Sequence, residues 1–85
     1  MAAFIHIADQ AVYLATSEIA SVKLLMFGNG TEVRTKQGEA YRVWASPILV
    51  LAAIRTAEKR GYADVPTQGW GDEICAKFIR DSGLA

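Results

Sequence analysis

An 85-residue chain has room for a single domain, and a domain of this size buries only about 60–65% of the surface that its unfolded chain exposes. Nine basic residues balance nine acidic residues, so the formal net charge of zero disfavours electrostatic attraction to nucleic acid or to an anionic membrane. Hydrophobic residues make up 52% of the chain, above the roughly 45–50% of ordinary soluble domains, which predicts apolar surface for a partner.

The sequence also favours a reducing compartment. Cys75 is the only cysteine, so an intramolecular disulfide is impossible. Residues 1–5 carry no basic segment of the kind that opens a signal peptide. The longest wholly apolar run, residues 48–54, is far shorter than the roughly 18 residues that span a bilayer. We therefore expect a cytoplasmic protein of bacterial or phage type, with no membrane contact.

Short runs of alternating apolar and polar residues predict β-strands in the N-terminal half. Residues 4–8 and 11–15 are β-rich and are separated by a polar dipeptide, which indicates an opening hairpin or two strands at a bend. A turn cluster at residues 16–18 leads into the third and longest strand, expected at residues 19–27.

Two turns predict how the later strands pair. Asn29-Gly30 tolerates positive φ at both positions, which a two-residue type I′ hairpin turn requires. Residues 36–38 fit a three-residue loop with Gly38 in the left-handed conformation. The pairs expected across the first turn are Met26 with Val33 and Leu24 with Thr35; those expected across the second are Val33 with Tyr41, Thr31 with Val43 and Glu32 with Arg42.

A capped helix is predicted after the strands. Ser46 is a favourable N-cap and Pro47 a favourable first helical residue, so we expect a helix at residues 47–60 that Gly61 ends. Its core-facing stripe comprises Leu49, Val50, Ala53, Ile54 and Ala57.

The rest of the chain completes the fold prediction. Residues 61–70 contain proline and glycine turn formers and are expected to form a loop, whereas the amphipathic pattern of residues 72–82 predicts a short C-terminal helix. The fold class is therefore α+β. We expect one domain, residues 1–85, with an antiparallel β-meander of about four or five strands at residues 3–45 and one packed α-helix.

No catalytic or metal-binding constellation emerges from the residue pattern. His6 is the only histidine and Cys75 the only cysteine, so a catalytic triad or a His/Cys metal site lacks partners. We expect a structural or surface role for His6 and a buried, inert thiol at Cys75. Residues 28–30 lack the further glycines and the Lys-Ser/Thr of a phosphate loop. The sequence therefore predicts no enzyme, no cofactor and no small-molecule substrate.

Both faces of the predicted meander carry large apolar side chains, and a single helix can cover only one of these faces. The alternation places Val22, Leu24, Met26, Val33, Tyr41 and Val43 on one face, and Leu25, Phe27, Glu32, Arg34, Arg42 and Trp44 on the other. Aromatic residues and arginine are enriched at interface hot spots. The candidate partner-binding residues are therefore Leu25, Phe27, Arg34, Arg42 and Trp44. Alternatively, the C-terminal helix, through Phe78 and Ile79, or Trp70 in the preceding loop, folds back over that face.

These observations predict a small non-enzymatic interaction or regulatory module that self-associates, most simply as a homodimer, or binds another protein through a sheet face or edge. The alternative is a nucleic-acid-binding accessory protein that uses a basic patch, with Trp44 available for stacking. That patch would comprise Lys23, Arg34, Lys36 and Arg42. Glu32 within the patch argues against this alternative.

The layout of residues 4–54 resembles the small flagellar FlbD-type proteins and, more distantly, the strand portion of LytTR DNA-binding domains. The resemblance runs through SEIASV at residues 17–22, TEVRTKQGEAYRV at residues 31–43 and the Ser46-Pro47 helix cap. It implies the same succession of strand, turn, strand pair and helix. The chain lacks the basic, His/Arg-containing segment of LytTR domains and departs from FlbD-type chains after Gly61, so neither DNA binding nor a flagellar role follows.

Overall fold

The computed structural model describes residues 3–7, 10–25, 30–66 and 71–83. Within these ranges the chain forms six strands in two three-stranded sheets, together with two α-helices, which confirms the α+β class. The elements are β1 (Phe4–Ile7), β2 (Val12–Ala15), β3 (Ile19–Leu24), β4 (Thr31–Thr35), β5 (Ala40–Val43), α1 (Pro47–Arg60), β6 (Tyr62–Asp64) and α2 (Asp72–Ser82).

The first sheet has the strand order β2–β1–β6. Its antiparallel β1–β2 pair confirms the opening hairpin, but β6 was missed, because residues 62–64 were expected to be loop. β6 runs parallel to β1, and a parallel pair requires a long crossover, which α1 supplies. The Phe4 amide donates to the Gly61 carbonyl at 3.1 Å, and the Val65 amide donates to the His6 carbonyl at 3.0 Å. β6 was not predicted because a strand of three residues is too short to show an alternation of apolar and polar side chains.

The second sheet, β3–β4–β5, contains the antiparallel meander, which therefore has three strands rather than four or five. The β4–β5 register is the predicted one: Thr31 faces Val43, Glu32 faces Arg42 and Val33 faces Tyr41. The three-residue loop is also confirmed, because the Thr35 amide donates to the Glu39 carbonyl at 2.8 Å and Gly38 has a φ of 93°.

The predicted β3–β4 register is wrong. Val33 pairs with Val22, four residues before the expected Met26, and Leu24 pairs with Thr31. The Leu25 amide donates to the Gly30 carbonyl at 3.1 Å, so Gly30 pairs with β3 and is not the second residue of a two-residue turn. Side chains along a strand point alternately to its two faces. A shift of the β3–β4 pairing by an even number of residues therefore leaves the paired side chains on their expected faces. Alternation alone therefore could not detect the error. Met26 and Asn29 lie outside the described residues.

One core joins the inner faces of both sheets to α1. Its largest completely buried apolar side chains are Ile5, Ile7, Val33, Val43, Val50 and Val65. Ala53 and Ala57 are fully buried, as expected, and their small side chains let α1 approach the sheets closely. Ile54, a member of the predicted core-facing stripe, is only half-buried. Ala52, which was not predicted to face the core, is buried. Leu24 is 61% exposed despite its inward alternation, because it is the last residue of an edge strand.

The ends of α1 lie where the sequence predicts, but its first turn is capped differently. Ser46 has extended N-cap geometry, yet its hydroxyl makes no capping hydrogen bond. Its backbone carbonyl instead accepts from the Leu49 and Val50 amides at 3.0 and 3.2 Å. At the other end, Gly61 has a φ of 89° and its amide donates to the Ala57 carbonyl at 2.6 Å.

Replacing Ser46 by alanine is expected to change the free energy of unfolding by less than about 0.5 kcal/mol, as for an ordinary exposed position. A serine whose hydroxyl capped the helix would cost about 0.5–2 kcal/mol on the same change. Urea denaturation of the two proteins distinguishes these values. A loss above about 1 kcal/mol would mean that the hydroxyl caps α1 in solution.

The second helix, α2, lies against α1 and ends at the predicted residue. Its Cys75, Phe78 and Ile79 side chains are partly buried against the core, and the Lys59 ammonium donates to the Ser82 carbonyl at 3.2 Å. Cys75 was expected to be buried and is instead partly buried, because its helix packs at the edge of the core. Phe78 and Ile79, which were expected to fold back over the outer face of the second sheet, pack instead against the core. Trp70, the other candidate for covering that face, lies outside the described residues. Within the described ranges, neither helix is long and apolar enough to cross a membrane.

Candidate functional site

Four of the five predicted partner-binding residues lie on the outer side of the second sheet. Arg34 on β4, Arg42 on β5 and Trp44 just after β5 are exposed, whereas Leu25, at the end of β3, is half-buried. The Trp44 side chain is 61% exposed. Phe27 lies outside the described residues. We call the four described residues, Leu25, Arg34, Arg42 and Trp44, the Trp44 surface.

The charges on this side of the sheet are paired unequally. Glu32 faces Arg42 across the strands, but its carboxylate accepts a hydrogen bond from Arg34 at 3.3 Å. Among the described residues, no carboxylate forms an ion pair with the Arg42 guanidinium. The Arg42 backbone carbonyl accepts a hydrogen bond from the Gln10 side chain, which links the edge of this sheet to the segment between β1 and β2. The Arg42 guanidinium is therefore available to an acceptor from outside.

A second group of polar and aromatic side chains, which the sequence did not predict as a site, lies on the outer face of the first sheet. His6 occupies the central strand, with Tyr13 opposite it on β2 and Asp64 opposite it on β6. The His6 and Tyr13 rings stack with their centroids 4.4 Å apart, and the Tyr13 and Tyr62 centroids are 6.3 Å apart. We call His6, Tyr13, Tyr62 and Asp64 the His6 cluster.

Two hydrogen bonds hold the polar centre of the His6 cluster. The Nδ1 atom of His6 lies 2.8 Å from Asp64 Oδ1, and because a carboxylate only accepts, this bond places a proton on Nδ1. The Tyr62 hydroxyl donates to the same Oδ1 atom at 2.6 Å. No side chain in the described part of the chain bonds to Oδ2, and the Asp64 side chain is 44% exposed. Among the residues that the structure describes, one carboxylate oxygen of Asp64 is thus bonded internally and the other is not.

The same bonds set the charge of the His6 cluster. Hydrogen bonds from Tyr62 and then His6 lower the pKa of Asp64, so this carboxylate stays ionised at neutral pH. The hydrogen bond to Asp64, with desolvation and the nearby negative charge, raises the pKa of Tyr62 to about 12, so its hydroxyl keeps its proton. The cluster therefore presents aromatic rings around a fixed negative charge.

The His6 cluster was missed because two of its members lie on β6. The alternation of His6 with the buried Ile5 and Ile7 indicates that His6 faces outward. Tyr62 and Asp64 are also two residues apart, which places them on one side of a strand, but the segment was taken for loop. His6 lies on the outer face of the sheet, where it contacts Asp64 and Tyr13.

The chemistry that these groups can perform is recognition of a cation or of an aromatic group. Ionised oxygen and the faces of tyrosine rings both attract cations. Within the described ranges, no three His, Cys, Asp or Glu side chains are placed to hold a metal ion. Comparison of the chain with protein-family models, curated proteins and solved structures found no match. The resemblance to FlbD-type and LytTR proteins therefore stays a prediction.

Proposed function

We propose that this protein is a small non-enzymatic interaction module of the cytoplasm that self-associates through the Trp44 surface. The observation that carries the proposal is the 61% exposure of Trp44, near exposed Arg42, on the outer side of the second sheet. A reducing compartment suits a chain with a single cysteine, since it needs no disulfide there.

The physical support is the cost of leaving such a face in water. Burial of apolar surface is favourable by roughly 25 cal/mol per Å², and tryptophan exposes more of it than most side chains. Tryptophan and arginine are also the residues most enriched among interface hot spots. A second copy of the chain is the simplest partner because it is present whenever the protein is made.

Sedimentation across a dilution series tests the proposal. The unmodified protein is expected to associate reversibly, and Trp44→Ala to raise the dissociation constant by about tenfold or more. Leu51→Ala is a matched control, because Leu51 is an exposed apolar residue on α1, outside the Trp44 surface. A monomer at every concentration would contradict the proposal. Salt-dependent binding of DNA or RNA would instead favour the nucleic-acid alternative.

A further inference from the structure

The two surfaces described above have opposite charges. On the outer side of the second sheet, Lys23, Arg34 and Arg42 outnumber the Glu32 carboxylate, so this side is net positive. The His6 cluster carries the ionised Asp64 carboxylate. A chain with a formal net charge of zero thus separates positive and negative charge onto two outward faces.

A symmetric contact between two Trp44 surfaces would not bring these opposite charges together. In a two-fold dimer the same patch meets itself, so the arginines of one copy would approach the arginines of the other. Like charges placed together across an interface are costly. The free Arg42 guanidinium would still lack a carboxylate, because Glu32 already bonds to Arg34.

We propose that the Trp44 surface of one copy docks on the His6 cluster of a second copy, in a head-to-tail contact. This inference rests on the proposed function, since it names the partner of the same surface. Arg42 would donate to the free Oδ2 atom of Asp64, and its planar guanidinium can stack on the exposed ring of Tyr13. Tyr62 of the cluster, which is 45% exposed, and the neighbouring Phe4, which is 38% exposed, supply apolar area for Trp44.

The geometry of the cluster suits this role. Asp64 is held in place through Oδ1 by two neighbours, so its Oδ2 atom is oriented before a partner arrives. Tyr13 is 60% exposed although one face of its ring lies against His6. A head-to-tail contact uses a different surface on each copy, so assembly continues into a ring or an open chain unless it closes.

A charge exchange between two variants tests the contact. Arg42→Glu and Asp64→Arg should each weaken self-association at least about tenfold, because each places like charges at the contact. When the two variants are mixed, association should return, since every contact between unlike copies then joins opposite charges. Arg80→Glu and Glu58→Arg are matched controls at exposed helical positions and should leave association unchanged.

The results separate this inference from the proposed function. If the unmodified protein is monomeric at every concentration, both fail. If it associates and Trp44→Ala disrupts it, but Asp64→Arg associates normally, the head-to-tail contact is overturned and the self-association proposal stands. The same conclusion follows if the folded variants do not associate on mixing. If circular dichroism finds Asp64→Arg unfolded, Asp64→Asn replaces it, and an unchanged dissociation constant for that variant overturns the contact.

Discussion

Replacing Ile5 by alanine is expected to lower the free energy of unfolding by about 2–5 kcal/mol. Ile5 is completely buried in the central strand of the first sheet, between Leu14 on β2 and Ala63 on β6. Removing three carbon atoms there loses the transfer free energy of those groups and leaves a cavity that the paired strands cannot readily fill. A domain of this size has a total stability of roughly 5–15 kcal/mol, so this single change removes a large part of it.

Thermal and urea denaturation of the purified variant measure this loss. At roughly 4–8 °C per kcal/mol for a domain of this size, the melting temperature should fall by about 10 °C or more. Ile74→Ala is the matched control, because Ile74 is 55% exposed on α2, and it should stay within about 0.5 kcal/mol of the unmodified protein. A loss below about 1 kcal/mol for Ile5→Ala would mean that β1 does not form the centre of the core.

The parts of the fold that the sequence predicted are those governed by local chemistry. Pro47 and Gly61 bound α1 as expected, because proline suits the first helical position and glycine the left-handed position after the last. The β4–β5 register followed from a short loop with one glycine. In each case a few neighbouring residues determine the backbone, so the signal is present in the sequence itself.

The parts that the sequence did not predict depend on residues far apart in the chain. β6 is a strand because β1, more than fifty residues earlier, offers it hydrogen bonds, and its own three residues carry no period. The β3–β4 register differs by an even number of residues, which the alternation of side chains cannot distinguish. The His6 cluster was not predicted for the same reason as β6, because only the long-range pairing of β1 with β6 brings Asp64 next to His6.

For the Trp44 surface, the sequence predicted which side chains face outward but not which charges pair. Alternation correctly placed Arg34, Arg42 and Trp44 outward, because the faces of a strand follow from its local pattern. It predicted Glu32 as the partner of Arg42, and the strand pairing agrees. The carboxylate nevertheless bonds to Arg34, two residues along the same strand. Side-chain pairing among several nearby charges depends on rotamers, which a sequence pattern does not contain.

Replacing Gly38 by valine is expected to lower the free energy of unfolding by about 1–3 kcal/mol, entirely through the backbone. Gly38 has a φ of 93°, and a Cβ atom added there would meet nothing within 4 Å, so a steric clash with neighbours contributes nothing. The strain arises because a β-branched residue strongly disfavours positive φ. Gly38→Asn is the matched control, since asparagine tolerates this conformation better, and it should lose clearly less stability in the same urea denaturation. Equal losses for the two variants would mean that positive φ at residue 38 does not set the stability of this loop.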